Sequence, residues 1–110
     1  MTTIEHREEP IVSAFASDPV LRELVEMYVS EMPDRIADLE RAFAAGDRER
    51  LRTTAHQIKG AAGSYGFDCL TQSAAALESV MRADRPPEEL RRSLEELLTL
   101  CRRIIAARSG

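Results

Sequence analysis

The chain has 110 residues, of which 44% are hydrophobic and 31% charged, as is typical of one compact domain. Only 5% are aromatic and Trp is absent, so aliphatic side chains must form the core, which favours helix packing over a β-sandwich. The formal net charge of −4 argues against nucleic-acid binding, which needs a dense basic surface. No apolar run approaches the ~20 residues of a membrane span. Residues 1–10 lack the basic and then apolar segments of a signal peptide. We therefore expect a cytoplasmic protein.

Two regions are distinguished along the chain. Residues 1–17 give weak signals, apart from a short apolar stretch from Ile11 to Phe15 that we expect to cap the fold. Residues 18–108 carry strong helical patterns and form the one domain. The sequence begins with Met1 and ends soon after its last predicted helix, which favours a free-standing protein, but a domain excised from a longer protein would look the same, and both interpretations stay open. We also expect a monomer, because no coiled-coil seam is evident.

Five helices are predicted from apolar residues at helical spacing. The first begins after Asp18, a preferred N-cap that Pro19 follows, and ends at Met32, because the residue before a proline is pushed out of helical angles. Pro33 opens the second helix, which Gly46 ends. Asp47 caps the third helix, which ends at Gly66, and Asp68 caps the fourth.

The last three helices each carry one apolar stripe. These stripes are Leu51, Ala55, Ile58, Ala62 and Tyr65; Leu70, Ala74, Leu77 and Met81; and Leu90, Leu94, Leu97, Cys101, Ile104 and Ile105. No segment alternates with the period of a strand, and the short connections favour antiparallel neighbours. The predicted fold is therefore all-α, an up-down antiparallel four-helix bundle with an additional N-terminal helix.

The third helix presents an unusual outer face. At 100° per residue, His56 lies about 140° from Leu51 and therefore points away from the core, with Lys59 and Gly60 one turn further along. Gly60 and Gly63 each cost ~1 kcal/mol relative to Ala inside a helix. Either they allow close packing against a neighbouring helix, or Gly60 clears space beside His56 for another protein. Both interpretations are open at this point.

The chemistry of this face excludes some site classes. A metal site would need His or acidic partners three or four residues from His56, where Lys59 and Gly60 stand, so we expect no metal. Cys69 and Cys101 are predicted to be buried free thiols. A lone exposed histidine is most often only a solvated side chain. The face nevertheless suits phosphoryl chemistry, because neutral imidazole is a nucleophile and a nearby lysine offsets phosphoryl charge.

The stretch from Ala55 to Gly66, Ala-His-Gln-Ile-Lys-Gly-Ala-Ala-Gly-Ser-Tyr-Gly, resembles the histidine-containing phosphotransfer (HPt) domain family. Its hallmark is His-x-x-Lys-Gly, then a glycine six residues after the first and a Leu-rich helix, here Leu70, Leu77 and Glu78. The resemblance covers about residues 18–107. It implies that His56 is phosphorylated on its outer ring nitrogen, Nε2, and that Lys59 stabilises the phosphoryl charge. It also implies that Gly60 gives a partner access and that Gly66 makes a structural turn.

The same resemblance implies a docking surface around the histidine. Its expected members are Gly60, Gly63, Arg52, Gln57, Ala61, Ser64, Glu78 and Arg82. A solvated surface arginine is an equally good interpretation of Arg82. The expected partners are response-regulator receiver domains and a sensor histidine kinase, with no nucleic acid or membrane. No cofactor is expected on this chain, since Mg²⁺ would belong to the receiver.

The implied function is that of an intermediate in a two-component phosphorelay. His56 would accept a phosphoryl group from a receiver aspartate and pass it to another receiver, so the protein would be a carrier and not an enzyme. Two alternatives stay open. One is a phosphoacceptor domain of a multidomain histidine kinase, and the other is an adaptor that binds a receiver without phosphorylation.

Overall fold

The computed structural model describes residues 9–107 of the chain. Its elements in chain order are strand β1 (Ile11–Val12), helices α1 (Pro19–Ala45) and α2 (Arg48–Ala62), a 3-10 turn (Gly63–Tyr65), helices α3 (Asp68–Arg82) and α4 (Pro87–Cys101), and strand β2 (Ile104–Ile105). Helices that follow one another in the chain pack together, and α1 also contacts α4. The described residues thus form a mostly helical domain with four helices. The up-down antiparallel order stays a prediction.

The predicted helix break before Pro33 is wrong, because the 27 residues of α1 run from Pro19 to Ala45 without interruption. A proline inside a helix costs ~3 kcal/mol. Met32 and Leu39, on either side of it, are only 2% and 0% exposed, and burying such side chains contributes ~1.5–3 kcal/mol each. Pro33 itself lies on the exposed side. Core packing therefore outweighs the local preference, and residues 9–107 contain no separate additional N-terminal helix.

The predicted helix boundaries at Asp18, Gly46 and Asp47 are confirmed. The Asp18 carboxylate accepts hydrogen bonds from the backbone N–H groups at residues 20 and 21, and the Asp47 carboxylate accepts one from residue 50. Gly46 adopts the left-handed conformation, with φ of 70°, that ends α1. The cap predicted at Asp68 is wrong by one position. Phe67 precedes α3 without a side-chain cap, and Asp68 is the first helical residue, where its charge favours the helix N-terminus.

The two ends of the described chain form a short parallel pair that the sequence did not predict. Ile11 pairs with Ile104, and Val12 pairs with Ile105. Ile104 and Ile105 therefore do not belong to the last helix, which ends at Cys101. A two-residue strand is too short to show alternation, and its partner lies at the other end of the chain. The apolar stretch from Ile11 to Phe15 does pack against the core, as predicted.

The N-terminal segment also fastens the turn after α2. Ser13 is buried, and its Oγ donates a hydrogen bond to the Tyr65 carbonyl at 2.7 Å. The Ala14 N–H donates to the Gly66 carbonyl at 3.0 Å. Gly66 has a φ of 85° and would bring an added Cβ within 2.5 Å of Ser13 Oγ. The turn therefore requires glycine for both its conformation and its close contact.

The core lies on one side of α2 and leaves the other side free. The predicted stripe of Leu51, Ala55, Ile58 and Ala62 is at most 1% exposed, while Tyr65 is half-buried and stacks on Tyr28. The predicted stripe of α3 is also buried. Of the two thiols, Cys101 is buried as predicted, and Cys69 is only half-buried. Among the described residues, no helix is both long and apolar enough to cross a membrane.

Candidate functional site

His56 lies on α2, on the face opposite the buried stripe. Its side chain is 66% exposed, whereas its neighbours Ala55 and Ile58 are completely buried. The sequence prediction that the imidazole points away from the core agrees with this position. The histidine therefore lies on a helix whose other face is buried, and its side chain is accessible to another molecule.

One buried carboxylate, from Glu78 on α3, contacts both polar side chains of this face. Its Oε2 atom lies 3.0 Å from His56 Nδ1, and its Oε1 atom lies 2.6 Å from Lys59 Nζ. The Glu78 side chain is only 7% exposed, and that of Lys59 is 31% exposed. The structure thus brings together His56, Lys59 and Glu78, with the carboxylate beneath the other two.

The charge of Glu78 follows from this arrangement. Burial raises the pKa of its carboxyl, but the contacts with Lys59 and His56 outweigh burial and hold that pKa below its ordinary value. Glu78 is therefore ionised at neutral pH and can only accept hydrogen bonds. In the neutral imidazole, Nδ1 must then carry the proton, which leaves the lone pair on Nε2. The arrangement selects the tautomer in which Nε2, the outer nitrogen, carries the free lone pair.

This role of Glu78 was missed by the sequence reasoning, which placed the residue among the docking contacts. The structure buries it beneath His56, where it offers almost no surface. The available signal was a single acid in the apolar run from Ala74 to Met81. That signal names no partner, since His56 lies 22 residues earlier in the chain.

The two glycines of this face have different surroundings. A Cβ at Gly60 would meet nothing within 4 Å, so no neighbouring helix requires glycine there. A Cβ at Gly63 would lie 3.4 Å from Thr71 Oγ1, an ordinary packing contact with α3. Of the two interpretations left open above, close packing therefore does not account for Gly60. The interpretation that remains is that Gly60 leaves open space beside His56.

The structure does not bring all the other predicted docking residues together, since Gln57 lines a separate groove with Asp38 and Ala61 packs against the core. Arg52, Gln57, Ser64 and Arg82 are exposed, and Ala61 is half-buried. Arg52 and Arg82 line one groove, of about 360 Å³, together with Arg48, Glu49, Glu78 and Met81. Arg48, in the first turn of α2 and eight residues before His56, was not among the predicted docking residues. No three His, Cys, Asp or Glu side chains within residues 9–107 are grouped as metal ligands would be.

The chain was compared with protein families, with curated proteins and with solved structures. A family model described as the Hpt domain matches residues 23–107, which includes α2, α3 and α4 and most of α1. The comparisons with curated proteins and with solved structures gave no significant match. The matched segment spans most of the chain and contains His56, Lys59 and Glu78. The chain therefore belongs to the Hpt domain family.

Proposed function

We propose that this Hpt domain is a phosphorelay intermediate that accepts a phosphoryl group on His56 from one receiver domain and passes it to another. Membership of the family implies a phosphotransfer role in two-component signalling. The observation that carries the residue assignment is the contact of His56 Nδ1 with the buried, ionised Glu78. This contact orients the ring and makes the exposed Nε2 the reactive nitrogen.

The proposed transfer is a displacement at phosphorus. The Nε2 lone pair of His56 attacks the phosphorus atom of the receiver's aspartyl phosphate. An N–P bond forms, and the P–O bond to the aspartate breaks, so that the carboxylate leaves with the electron pair. The proton on Nδ1 stays in its hydrogen bond to Glu78, whose negative charge stabilises the positive charge that the ring acquires. Transfer to the second receiver is the reverse reaction.

Lys59 contributes charge to the same step. Its Nζ atom contacts Glu78 in the free protein, and its side chain is one-third exposed. In the proposal, the lysine keeps the carboxylate ionised and offsets the charge of the phosphoryl group on His56. Positioning and charge stabilisation are the main requirements of phosphoryl transfer. Mg²⁺ belongs to the receiver, so this chain acts as a carrier whose chemistry the partner completes.

The partner-docking surface in this proposal surrounds His56. Gly60, Gly63, Ala61 and Ser64 form its low-relief part, with Gln57 at its edge. Arg52 and Arg82 flank the histidine on the side of α3. A complex of this kind is expected to be small and transient. We further propose that the protein acts in the cytoplasm as a monomer, with receivers and a sensor kinase as its partners.

Labelling of the protein by a phosphorylated receiver tests this function. Receiver domains of the source organism are phosphorylated with ³²P, and transfer is measured to wild type and to His56→Gln. The variant is expected to lose all acid-labile, base-stable label. His6→Gln is the matched control, because it removes the second of the chain's two histidines and should keep full labelling.

Three results would overturn the proposal or its finer part. Equal label on wild type and on His56→Gln would exclude His56 as the acceptor. Labelling by a kinase and ATP, but by none of the receivers, would favour the phosphoacceptor domain of a histidine kinase. Binding and signalling output that do not change in His56→Gln would favour the adaptor.

A further inference from the structure

The groove beside the histidine contains an unusual group of arginines. Arg48 and Arg52 from α2 and Arg82 from α3 line it, and all three are exposed. None of them lies within ion-pair distance of a carboxylate in the described part of the chain. Other arginines there have such partners: Arg22, Arg35, Arg41, Arg50, Arg85, Arg91 and Arg102. Seven of the twelve arginines within residues 9–107 are thus paired, whereas all three arginines of the groove lack a carboxylate partner, as do Arg92 and Arg103.

The acids of the groove do not offset all three of these positive charges. Glu78 forms part of its wall, but both oxygens of that carboxylate are engaged by Lys59 and His56. Glu49 is exposed and forms no ion pair among residues 9–107. The groove is therefore a positive region on a chain whose net charge is −4. A positive cleft of this kind attracts anionic groups from solution.

The groove is also continuous with the reactive site. Arg52 lies one helical turn before His56, on the same side of α2, and Glu78 belongs to both the groove wall and the histidine contact. Arg48 is held in place by a hydrogen bond from its guanidinium to the Met81 carbonyl at 3.1 Å. A molecule that brings a reacting group to Nε2 therefore extends over these arginines as well.

We infer that the groove of Arg48, Arg52 and Arg82 binds carboxylates of the receiver domain that exchanges phosphate with His56. This inference rests on the proposed function. The reacting side chain of such a partner is an aspartate, and Mg²⁺ in phosphoryl-transfer proteins is held by carboxylates. The partner surface that approaches His56 is therefore acidic. Guanidinium groups bind carboxylates through two parallel hydrogen bonds, so the groove sets the orientation of the receiver as well as attracting it.

Two matched double variants test the inference. Arg52→Gln/Arg82→Gln removes two groove charges, and Arg91→Gln/Arg92→Gln removes two charges from the exposed side of α4. Both have the same net charge. Neither Arg52 nor Arg82 makes a side-chain hydrogen bond within the described chain, so the groove variant should fold like wild type, as the unfolding midpoint will show. Binding of an unphosphorylated receiver is measured by titration at low and high salt, and transfer of ³²P is measured beside it.

The groove variant is expected to bind the receiver about tenfold more weakly at low salt and to lose most of the salt dependence. Its second-order transfer rate should fall with the affinity, while the maximal rate at saturating receiver changes less. The control variant should match wild type. Arg48→Gln removes one groove charge and should show a smaller loss of affinity for the receiver.

The outcomes separate this inference from the function on which it rests. If receivers label wild type, but the groove variant binds like the control at every salt concentration, the groove inference is wrong and the proposed function stands. If no receiver labels or binds wild type, the proposed function fails, and the groove inference fails with it.

Discussion

Gly60 and Gly66 are two glycines, in and just after α2, with opposite surroundings. At Gly66 the φ is 85°, and an added Cβ would approach Ser13 Oγ to 2.5 Å and the Ala14 nitrogen to 2.6 Å. At Gly60 the backbone is helical, and an added Cβ would meet nothing within 4 Å. The fold requires Gly66 and is weakened by Gly60. If Gly60 gives a partner access to His56, as proposed, stability and partner access should be separable by mutation in this domain.

The largest effect is expected at the turn. Gly66→Ala should lower the free energy of unfolding by about 3 kcal/mol, because it combines a left-handed conformation with a steric clash. Urea denaturation followed by circular dichroism measures the change. Gly46→Ala is the matched control, since Gly46 has a φ of 70° but open space around it, and the left-handed conformation alone should cost about 1 kcal/mol. Equal losses would show that the contact with Ser13 adds nothing.

The next effect concerns the carboxylate under the histidine. Glu78→Gln should slow transfer about tenfold, as expected when the partner that orients a functional imidazole is lost. Nitrogen-15 NMR of the histidine ring should show the proton shifting from Nδ1 towards Nε2, a change that a purely structural role would not produce. Glu96→Gln, an exposed change on α4, is the control. An unchanged tautomer with an unchanged rate would remove Glu78 from the mechanism.

Substitution at the exposed glycine should act in the opposite sense on fold and function. Gly60→Ala is expected to raise the free energy of unfolding by about 1 kcal/mol and to slow transfer from a receiver. Gly63→Ala should gain less stability, because its Cβ would contact Thr71. A loss of stability in Gly60→Ala would contradict the open space described beside His56.

The smallest effect is a pH dependence of stability. The pKa of Glu78 is lower in the folded protein than its ordinary value of 4.5, so the unfolded chain binds this proton more readily. The contribution of the ionised Glu78 to the free energy of unfolding is therefore complete above about pH 4.5, and it is lost as pH falls through the pKa of the folded protein. The difference in unfolding free energy between wild type and Glu78→Gln should shrink over that range. A difference that is constant with pH would argue against an ionised Glu78.

Sequence periodicity predicted the parts of this fold that depend on neighbours in the chain. The buried stripe of α2, the outward position of His56 and the caps at Asp18 and Asp47 are all determined within one or two helical turns. The interpretation of Gly60 needed the structure, because two explanations of a costly glycine look alike in sequence.

The features that the sequence did not predict all depend on residues that are distant in the chain. Pro33 favours a helix break locally, but buried residues on both sides hold α1 together. Ile104 and Ile105 continue a helical pattern, yet they pair with residues more than 90 positions earlier. Glu78 is an isolated acid in sequence, and only the packing of α3 on α2 places it against His56. No local pattern contains these partners.

The parallel pairing of β1 with β2 has a mechanical consequence. The chain enters β1 at one end of the pair and leaves β2 at the other end, because the two strands run in the same direction. A force that pulls the two termini apart therefore loads the hydrogen bonds from the Ile11 N–H to the Arg103 carbonyl and from the Ser13 N–H to the Ile105 carbonyl together, in shear. These bonds therefore bear tension between the two ends before it reaches the helices that hold His56.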